Sequence, residues 1–324
     1  MSRRDIIVIG ASAGGIEALR VLLSSLPIDL PASVFIVLHS SEDSPGLLPE
    51  VLNRSSRLPV LYAVHNMPIF PSRVYVAPSG ASHLTVDRGS VRLTPGPREN
   101  RHRPSIDALF RSASIAYGPR VVGVVLTGHL DDGSAGLADV KRRGGVAIVQ
   151  TPEEATASSM PRNAIENTSV DHILPLAEIG PKLAELANQE LPERLKLVPN
   201  VTGLQETGSA YSCPECGGVL REIREGEMTR FECRVGHVYS PESLDQDQIV
   251  AIERALWAAI RSLEEHAEFS ARLANRSREA NRLRLATRFG ERAKANQENA
   301  AALRELLEQS AEQLQESADA ETGT

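Results

Sequence analysis

Short runs of almost unbroken aliphatic residues constrain this chain more than any other feature. They are Asp5–Gly10 (DIIVIG), Ser33–His39 (SVFIVLH), Arg120–Thr127 (RVVGVVLT) and Val146–Gln150 (VAIVQ). None alternates apolar with polar residues, so each reads as a strand covered on both faces. Helical patterns lie between them: Gly14–Ser25, Pro45–Arg54, Ser105–Tyr117 and Ala135–Arg143, the last closed by Gly144-Gly145. Pro104 is placed at the start of the third helix, where a missing N–H costs little. Tyr75–Pro78 adds a strand and Leu84–Leu93 a hairpin turning at Gly89. Strands alternating with helices predict an α/β fold with a doubly wound, mostly parallel sheet. A helix near Pro181–Asn188 closes this first domain, which spans residues 1–190.

The rest of the chain reads differently. Residues 191–208 are polar and irregular, a linker, and 209–241 hold all three cysteines. From 242 to 316 apolar residues recur at helical spacing, as in Ile249, Ile252, Leu256, Ile260 and Leu263, then Phe289, Ala293, Ala300, Leu303 and Leu307. Residues near Arg276–Arg284 lack that stripe and predict the turn of a self-packed helical hairpin, with Trp257 as a large anchor. The alternative for this tail is a docking or dimerising element that pairs two copies of the chain. The acidic, small residues 317–324 predict an unstructured end.

Composition removes several function classes. Lys+Arg 35 against Asp+Glu 42 leaves a net charge of −7, so no basic excess draws the protein to nucleic acid. Hydrophobic content of 41% excludes wholesale disorder. The run Ile6–Ile9 is too short for a secretory signal. No stretch approaches the roughly 18 apolar residues of a membrane span. An odd count of three cysteines excludes a disulfide framework. The expectation is a cytoplasmic protein without membrane insertion.

Gly10-Ala11-Ser12-Ala13-Gly14-Gly15 sits where a strand turns into a helix. A dinucleotide motif needs glycine at position 12, and a phosphate-binding loop needs a following Gly-Lys-Ser/Thr; neither is present. G-x-S-x-G is present, and the helix start behind Ser12 offers N–H groups to a developing oxyanion. A capping turn without chemistry is the plainer alternative. A serine nucleophile needs a base, and the base an orienting acid. His39 ends the second strand, and Thr127-Gly128-His129-Leu130-Asp131-Asp132-Gly133 follows a later one. Strand carboxyl ends line the site in an open α/β sheet, which places Ser12, His39 and Asp132 on one edge. The order Ser…His…Asp disfavours the α/β-hydrolases, whose order is Ser…Asp…His. Spacing alone leaves His129 and Asp131 as rivals, and helix capping as the plainer role for Asp132.

From about Asp5 to Leu186 the chain resembles the catalytic domain of the CheB-type chemotaxis protein-glutamate methylesterases. The resemblance rests on Ile9–Gly15, the strand ending in His39, Val76-Ala77-Pro78, Asn100-Arg101-His102-Arg103-Pro104-Ser105-Ile106-Asp107, Leu126-Thr127-Gly128 with Asp132-Gly133, and Met160-Pro161. It implies Ser12 as nucleophile, His39 as general base and acid, and Asp132 as the orienting carboxylate. It further implies hydrolysis of glutamate γ-methyl esters on chemoreceptor cytoplasmic helices, with deamidation of receptor glutamines in some members, and no catalytic cofactor. Ala13 stands where the family commonly has Thr, and Ser40-Ser41 where Met-Pro is frequent. Well-known members carry a phosphoreceiver domain ahead of this one; a chain starting at the first catalytic strand implies control by other means. Arg101, His102 and Arg103 read equally as a contact for acidic substrate or as a solvated loop anchoring the next helix. Met160-Pro161 reads as packing at the rim of the site. The non-catalytic alternative is a degenerate esterase fold that recruits partners in a sensory pathway.

Cys213-Pro-Glu-Cys216 and Cys233-Arg-Val-Gly-His237 form two ligand pairs. Three thiols and an imidazole make a tetrahedral Cys₃His set that closes a structural zinc site and leaves no open position. Gly217 and Gly236 permit the tight knuckles, and Val219–Phe231 reads as a hairpin turning at Glu225-Gly226. A unit this short needs the metal for stability, so a zinc-ribbon-like module is expected.

Overall fold

The computed structural model describes residues 3–40, 46–191, 205–225 and 228–322. The start of the Pro45 helix, most of the 191–208 linker and the Gly226 turn lie outside them. The first part of the chain gives β1 (Ile6–Ala11), α1 (Gly15–Ser25), β2 (Ser33–Leu38), α2 (Leu48–Asn53), β3 (Val60–Tyr62), β4 (Arg73–Val76), β5 (His83–Asp87) and β6 (Ser90–Thr94). It continues with α3 (Ile106–Tyr117), β7 (Val121–Val125), α4 (Ser134–Arg142), β8 (Val146–Gln150), α5 (Ser159–Asn167), β9 (His172–Leu174) and α6 (Leu176–Asn188). After it come β10 (Gln205–Ser212), β11 (Val219–Glu225), β12 (Met228–Cys233), β13 (Val238–Tyr239), α7 (Pro241–Glu279) and α8 (Leu283–Thr322).

Seven strands form one sheet in the order β3-β4-β2-β1-β7-β8-β9, and every neighbouring pair in it is parallel. The unbroken aliphatic runs are explained by cover on both faces. Ile7 and Ile9 pack with Leu19, Leu22 and Leu183 from α1 and α6, whereas Ile6 and Val8 pack with Leu109, Phe110 and Val140 from α3 and α4. Each such side chain removed from water stabilises the fold by roughly 1.5–3 kcal/mol. The antiparallel hairpin β5–β6 turns at Gly89, whose φ is +82°. Chain progression reverses across β1: β2 lies on one side of it and β7 on the other. Sites in open parallel sheets form at the carboxyl ends beside such a reversal.

Some sequence expectations need correcting. Pro104 lies outside α3, and Ser105 is the N-cap, its Oγ accepting the Ala108 N–H. The three-residue strands β3 and β9 are too short to carry a pattern of their own. α5 has no counterpart in the sequence reading; Pro161 sits in its first turn, where N–H groups lack helical partners in any case. The 317–324 end was expected to be unstructured, but α8 runs to Thr322, consistent with a tail rich in Ala, Glu and Gln.

Residues 1–245 form one compact unit and 246–324 a second. The cysteine-bearing strands, expected to stand apart, therefore belong to the same unit as the large sheet. The second unit is a helical pair. Ile260, Ala267 and Ala274 on α7, and Ala286, Ala293 and Ala300 on α8, are buried at seven-residue intervals, the spacing of a left-handed helix pair. Arg304 on α8 bonds Glu264 on α7 at 2.7 Å. Trp257 is not the anchor expected: it is 46% exposed, with its indole N–H donating to Glu253. Among the described residues no helix is long and apolar enough to cross a membrane.

Candidate active site

Ser12 follows β1 directly, and His39 follows β2. Ala11 and Leu38 are register partners, and the His39 N–H donates to Ala11 O at 3.0 Å. The serine and the histidine thus leave the sheet side by side. The Ser12 N–H donates to Thr127 O at 2.9 Å, which ties the serine turn to the end of β7. Thr127 Oγ1 donates to Ala13 O at 2.8 Å and accepts the Ala157 N–H at 2.8 Å. The left-handed φ of the turn falls on Gly14, at +74°, not on the serine. Thr156 would clash at 2.5 Å with any Cβ there. Gly128 explains the place of Met160: a Cβ at position 128 would lie 2.7 Å from Met160 Sδ and 2.8 Å from Ser12 Cβ. Met160 is buried packing beside the serine, as its position at the rim suggests.

Asp132 is the focus of the hydrogen bonding. Its Oδ2 accepts His39 Nε2 at 2.9 Å and the Ile106 N–H at 2.7 Å. Its Oδ1 accepts Ser105 Oγ at 2.9 Å, Asn100 Nδ2 at 3.1 Å and the Asp107 N–H at 3.2 Å. The start of α3 therefore presents its free N–H groups to the carboxylate, which a helix N-terminus favours. Burial alone would raise the Asp132 carboxyl. The hydrogen bond and charge of His39 outweigh it, with help from the Ile106 N–H, and hold the group well below the usual carboxylate range. Asp107 moves the other way, pushed up by burial and by the Asp132 charge. Its Oδ1 accepts the N–H groups of Gly133 and Gly136 at 3.0 and 2.6 Å. Two neighbouring carboxyl groups with opposite tendencies mean that Asp132 carries the charge.

His39 Nε2 faces an acceptor-only carboxylate and so carries the proton. Nδ1 is buried without a partner among the described residues, which leaves it as the proton-accepting nitrogen. His102 lies flat on the His39 ring, with centroids 3.5 Å apart and planes 9° apart. Burial, then the nearby His39 charge, lowers His102 to about 4, so it is a neutral plate fixing the His39 ring plane. Nothing in the sequence signals this stack. Arg103 turns inward, its guanidinium bonding Gly80 O and Gly96 O at 2.7 and 2.8 Å. Arg103 thus holds the loop from inside, where the sequence offered a solvated loop or a contact for acidic substrate.

The rivals separate cleanly. His129 is exposed, and the imidazole on Asp132 belongs to His39. Asp131 points to Ser240 and Glu242 rather than to His39. Burial pushes its carboxyl up to about 7, the Ser240 hydrogen bond opposing and the Glu242 charge assisting. A raised folded-state pKa gives a contribution that is full at low pH and is lost as pH climbs from about 4 to about 7. Asp131→Asn is expected to leave the melting temperature unchanged at pH 4. At pH 8 it should raise it by roughly 5 °C, measured by thermal unfolding across that range.

The cysteines form a second centre. Ligand atoms of Cys213, Cys216, Cys233 and His237 all lie within 4.8 Å of one another. Cys216 Sγ to Cys233 Sγ is 3.7 Å, Cys213 Sγ to His237 Nδ1 is 3.7 Å, and Cys233 Sγ to His237 Nδ1 is 3.4 Å. Bonds of about 2.3 Å to sulfur and about 2.0–2.1 Å to nitrogen make tetrahedral edges of roughly 3.5–3.8 Å, so the donor set fits zinc. The small antiparallel sheet β10-β11-β12-β13 places Cys213 and Cys216 between β10 and β11, Cys233 at the end of β12 and His237 just before β13. Among the described residues its apolar cluster is small, Leu220, Phe231, Tyr239 and Leu244 around Cys213 and Cys233. Elemental analysis of purified protein is expected to give about one zinc per chain, falling to near zero in Cys213→Ser.

The family model for the CheB methylesterase matches residues 7–183, more than half of the chain. The chain belongs to the CheB methylesterase family. It is 39% identical over 191 residues to a putative protein-glutamate methylesterase/protein-glutamine glutaminase of Leptospira interrogans, covering 59% of this chain and 98% of that protein. It is 40% identical to protein-glutamate methylesterase/protein-glutamine glutaminase 2 of Anaeromyxobacter dehalogenans, over 57% of this chain and 54% of that one, about half its length. The crystal structure of the Thermotoga maritima CheB methylesterase catalytic domain matches with a TM-score of 0.54 at 33% identity. That match covers 57% of this chain and all of the Thermotoga chain. The methylesterase match ends at residue 183, before the cysteine centre begins.

Proposed function

We propose that this protein is a serine esterase that hydrolyses glutamate γ-methyl esters on the cytoplasmic helices of chemoreceptors. The observation that carries the reading is the buried His39–Asp132 hydrogen bond of 2.9 Å, set beside the Ser12 turn in a member of this family. Ser12 Oγ attacks the ester carbonyl while His39 Nδ1 takes its proton, and Asp132 holds the imidazolium that forms. The Ser12 N–H is engaged with Thr127 O and the Gly15 N–H with Ser12 O, so this reading assigns the oxyanion to the other main-chain N–H groups of the turn. Methanol leaves with the proton from His39. Water, deprotonated by the same imidazole, then releases the free glutamate and restores Ser12. The same acyl-enzyme route accepts a glutamine side chain, with ammonia as the leaving group. That second activity is in keeping with the glutaminase half of the relatives' names.

Cys213, Cys216, Cys233 and His237 are read as holding a structural zinc. It closes its own coordination sphere and takes no part in the ester chemistry. The experiment for the function is methanol release from methyl-labelled receptor membranes. Wild-type protein is expected to release label; no release above buffer overturns the esterase reading and favours a non-catalytic binding module.

A further inference from the structure

We infer that the Cys₃His unit is a clamp on the catalytic carboxylate, acting through one positioning residue, Asn100. The inference rests on the proposed esterase function and adds to it how the site is held in its working geometry.

Asn100 is 3% exposed, and its side chain uses its full hydrogen-bonding capacity in two opposite directions. Nδ2 donates to Asp132 Oδ1 at 3.1 Å and to Asp107 Oδ2 at 2.7 Å. Oδ1 accepts the Ser240 N–H at 2.9 Å and Ser243 Oγ at 3.2 Å. An amide has two donor hydrogens and two acceptor lone pairs, so the nitrogen end is saturated by the carboxyl groups of Asp132 and Asp107 and the oxygen end by the segment after β13. Carboxylates on one side and donors on the other also fix which way the amide points.

The main chain repeats the link. The Asn100 N–H donates to Val238 O at 2.8 Å, and the Val238 N–H donates to Arg98 O at 3.3 Å. Asn100 and Arg101 hold φ of +48° and +70°, a left-handed region that non-glycine residues seldom occupy and that surrounding structure must enforce. Val238 directly follows the ligand His237. Ser240 caps α7 through its Oγ, which accepts the Ser243 N–H at 3.1 Å. A continuous path therefore runs from His237 through β13 and Ser240 to Asn100, then to Asp132 and His39. With the Cys₃His centre closed, β13 and the Ser240 cap are fixed. Asn100 in turn holds Asp132 against the His39 ring. A catalytic sheet lacking this unit would leave the Asn100 oxygen to water.

The test is a double-mutant cycle in the full chain, with p-nitrophenyl acetate as substrate so that receptor recognition plays no part. Asn100→Ala and Cys216→Ser are each expected to lower kcat about ten- to a hundredfold with KM unchanged, the scale for losing a group that orients a catalytic residue. The double variant should be no worse than Asn100→Ala, because both changes act through one link. Zinc content separates the arms: Asn100→Ala keeps it and Cys216→Ser loses it. A second readout is independent of turnover. Amide hydrogen exchange at Ile106 and Asp107, whose N–H groups hold Asp132, should speed up in Cys216→Ser. Should Asn100→Ala fail to fold, Ser243→Ala replaces it in the cycle, with a smaller loss of kcat and the same non-additivity. Fully additive losses, or Cys216→Ser with unchanged kcat and unchanged exchange, overturn the clamp while leaving the esterase intact. Wild-type protein with no Ser12-dependent turnover overturns the esterase reading, and the clamp falls with it.

Discussion

Replacing Ser12 by alanine is expected to lower ester hydrolysis by about four to six orders of magnitude, the loss seen when a triad nucleophile is removed. The fold should not suffer. The contact tying this turn to β7 is the main-chain N–H of residue 12 to Thr127 O, which alanine retains. The left-handed residue of the turn is Gly14, also untouched. Ser12→Ala should therefore unfold with wild-type cooperativity, carry the same zinc, and show only the slow turnover that oriented N–H groups provide. Measured against p-nitrophenyl acetate, the variant isolates the acyl-transfer step from receptor binding. Residual activity within tenfold of wild type would assign the nucleophile elsewhere.

Asp132→Asn is expected to be nearly as severe in kcat, about 10⁴-fold, and to cost stability as well. The wild-type carboxylate accepts from His39, Ile106, Asn100, Ser105 and Asp107. An amide has one oxygen and one NH₂, so whichever way it turns, its NH₂ meets a donor. If the NH₂ faces His39, the ring is driven to the wrong tautomer and Nδ1 no longer takes the serine proton. If it faces Asn100 and Ser105, the loop ahead of α3 loses its acceptor, and buried unsatisfied donors cost about 1–3 kcal/mol each. A fall in kcat together with a lower melting temperature is the expected pair of results. A drop in stability at unchanged kcat would reduce Asp132 to the helix-capping role that its position also suits.

Most of the sheet was legible in the sequence because strands buried on both faces spell themselves out. Ile6–Ile9, Val34–Val37, Val121–Val125 and Val146–Val149 have no polar alternative. The short strands β3 and β9 were hidden, since three residues on a sheet edge leave no periodicity. α5 was not legible either: Met160-Pro161 reads only as packing at the rim of the site, and the helix it belongs to becomes visible with the fold. At the site, the strand-end rule placed Ser12, His39 and Asp132 on one edge. Their choice over Asp131 and His129 needed the resemblance, because spacing does not say which way neighbouring side chains point. The structure separates them by burial and direction: Asp132 faces His39, and Asp131 faces Ser240. The His102 stack and the Asn100 bridge were not legible, as each depends on contacts between residues far apart in sequence, Asn100 to Ser240 among them. The cysteine spacing was read without the fold because metal geometry constrains local spacing directly.

The most direct test of the account is to find where the acyl group goes. Protein mixed with p-nitrophenyl acetate and quenched in acid within the first turnover is digested and mapped by mass spectrometry. An acetyl group is expected on Ser12, absent from Ser12→Ala and accumulating in Asp132→Asn only at the rate of its slowed turnover. Acetylation confined to another residue, or full turnover with Ser12 never modified, would contradict it.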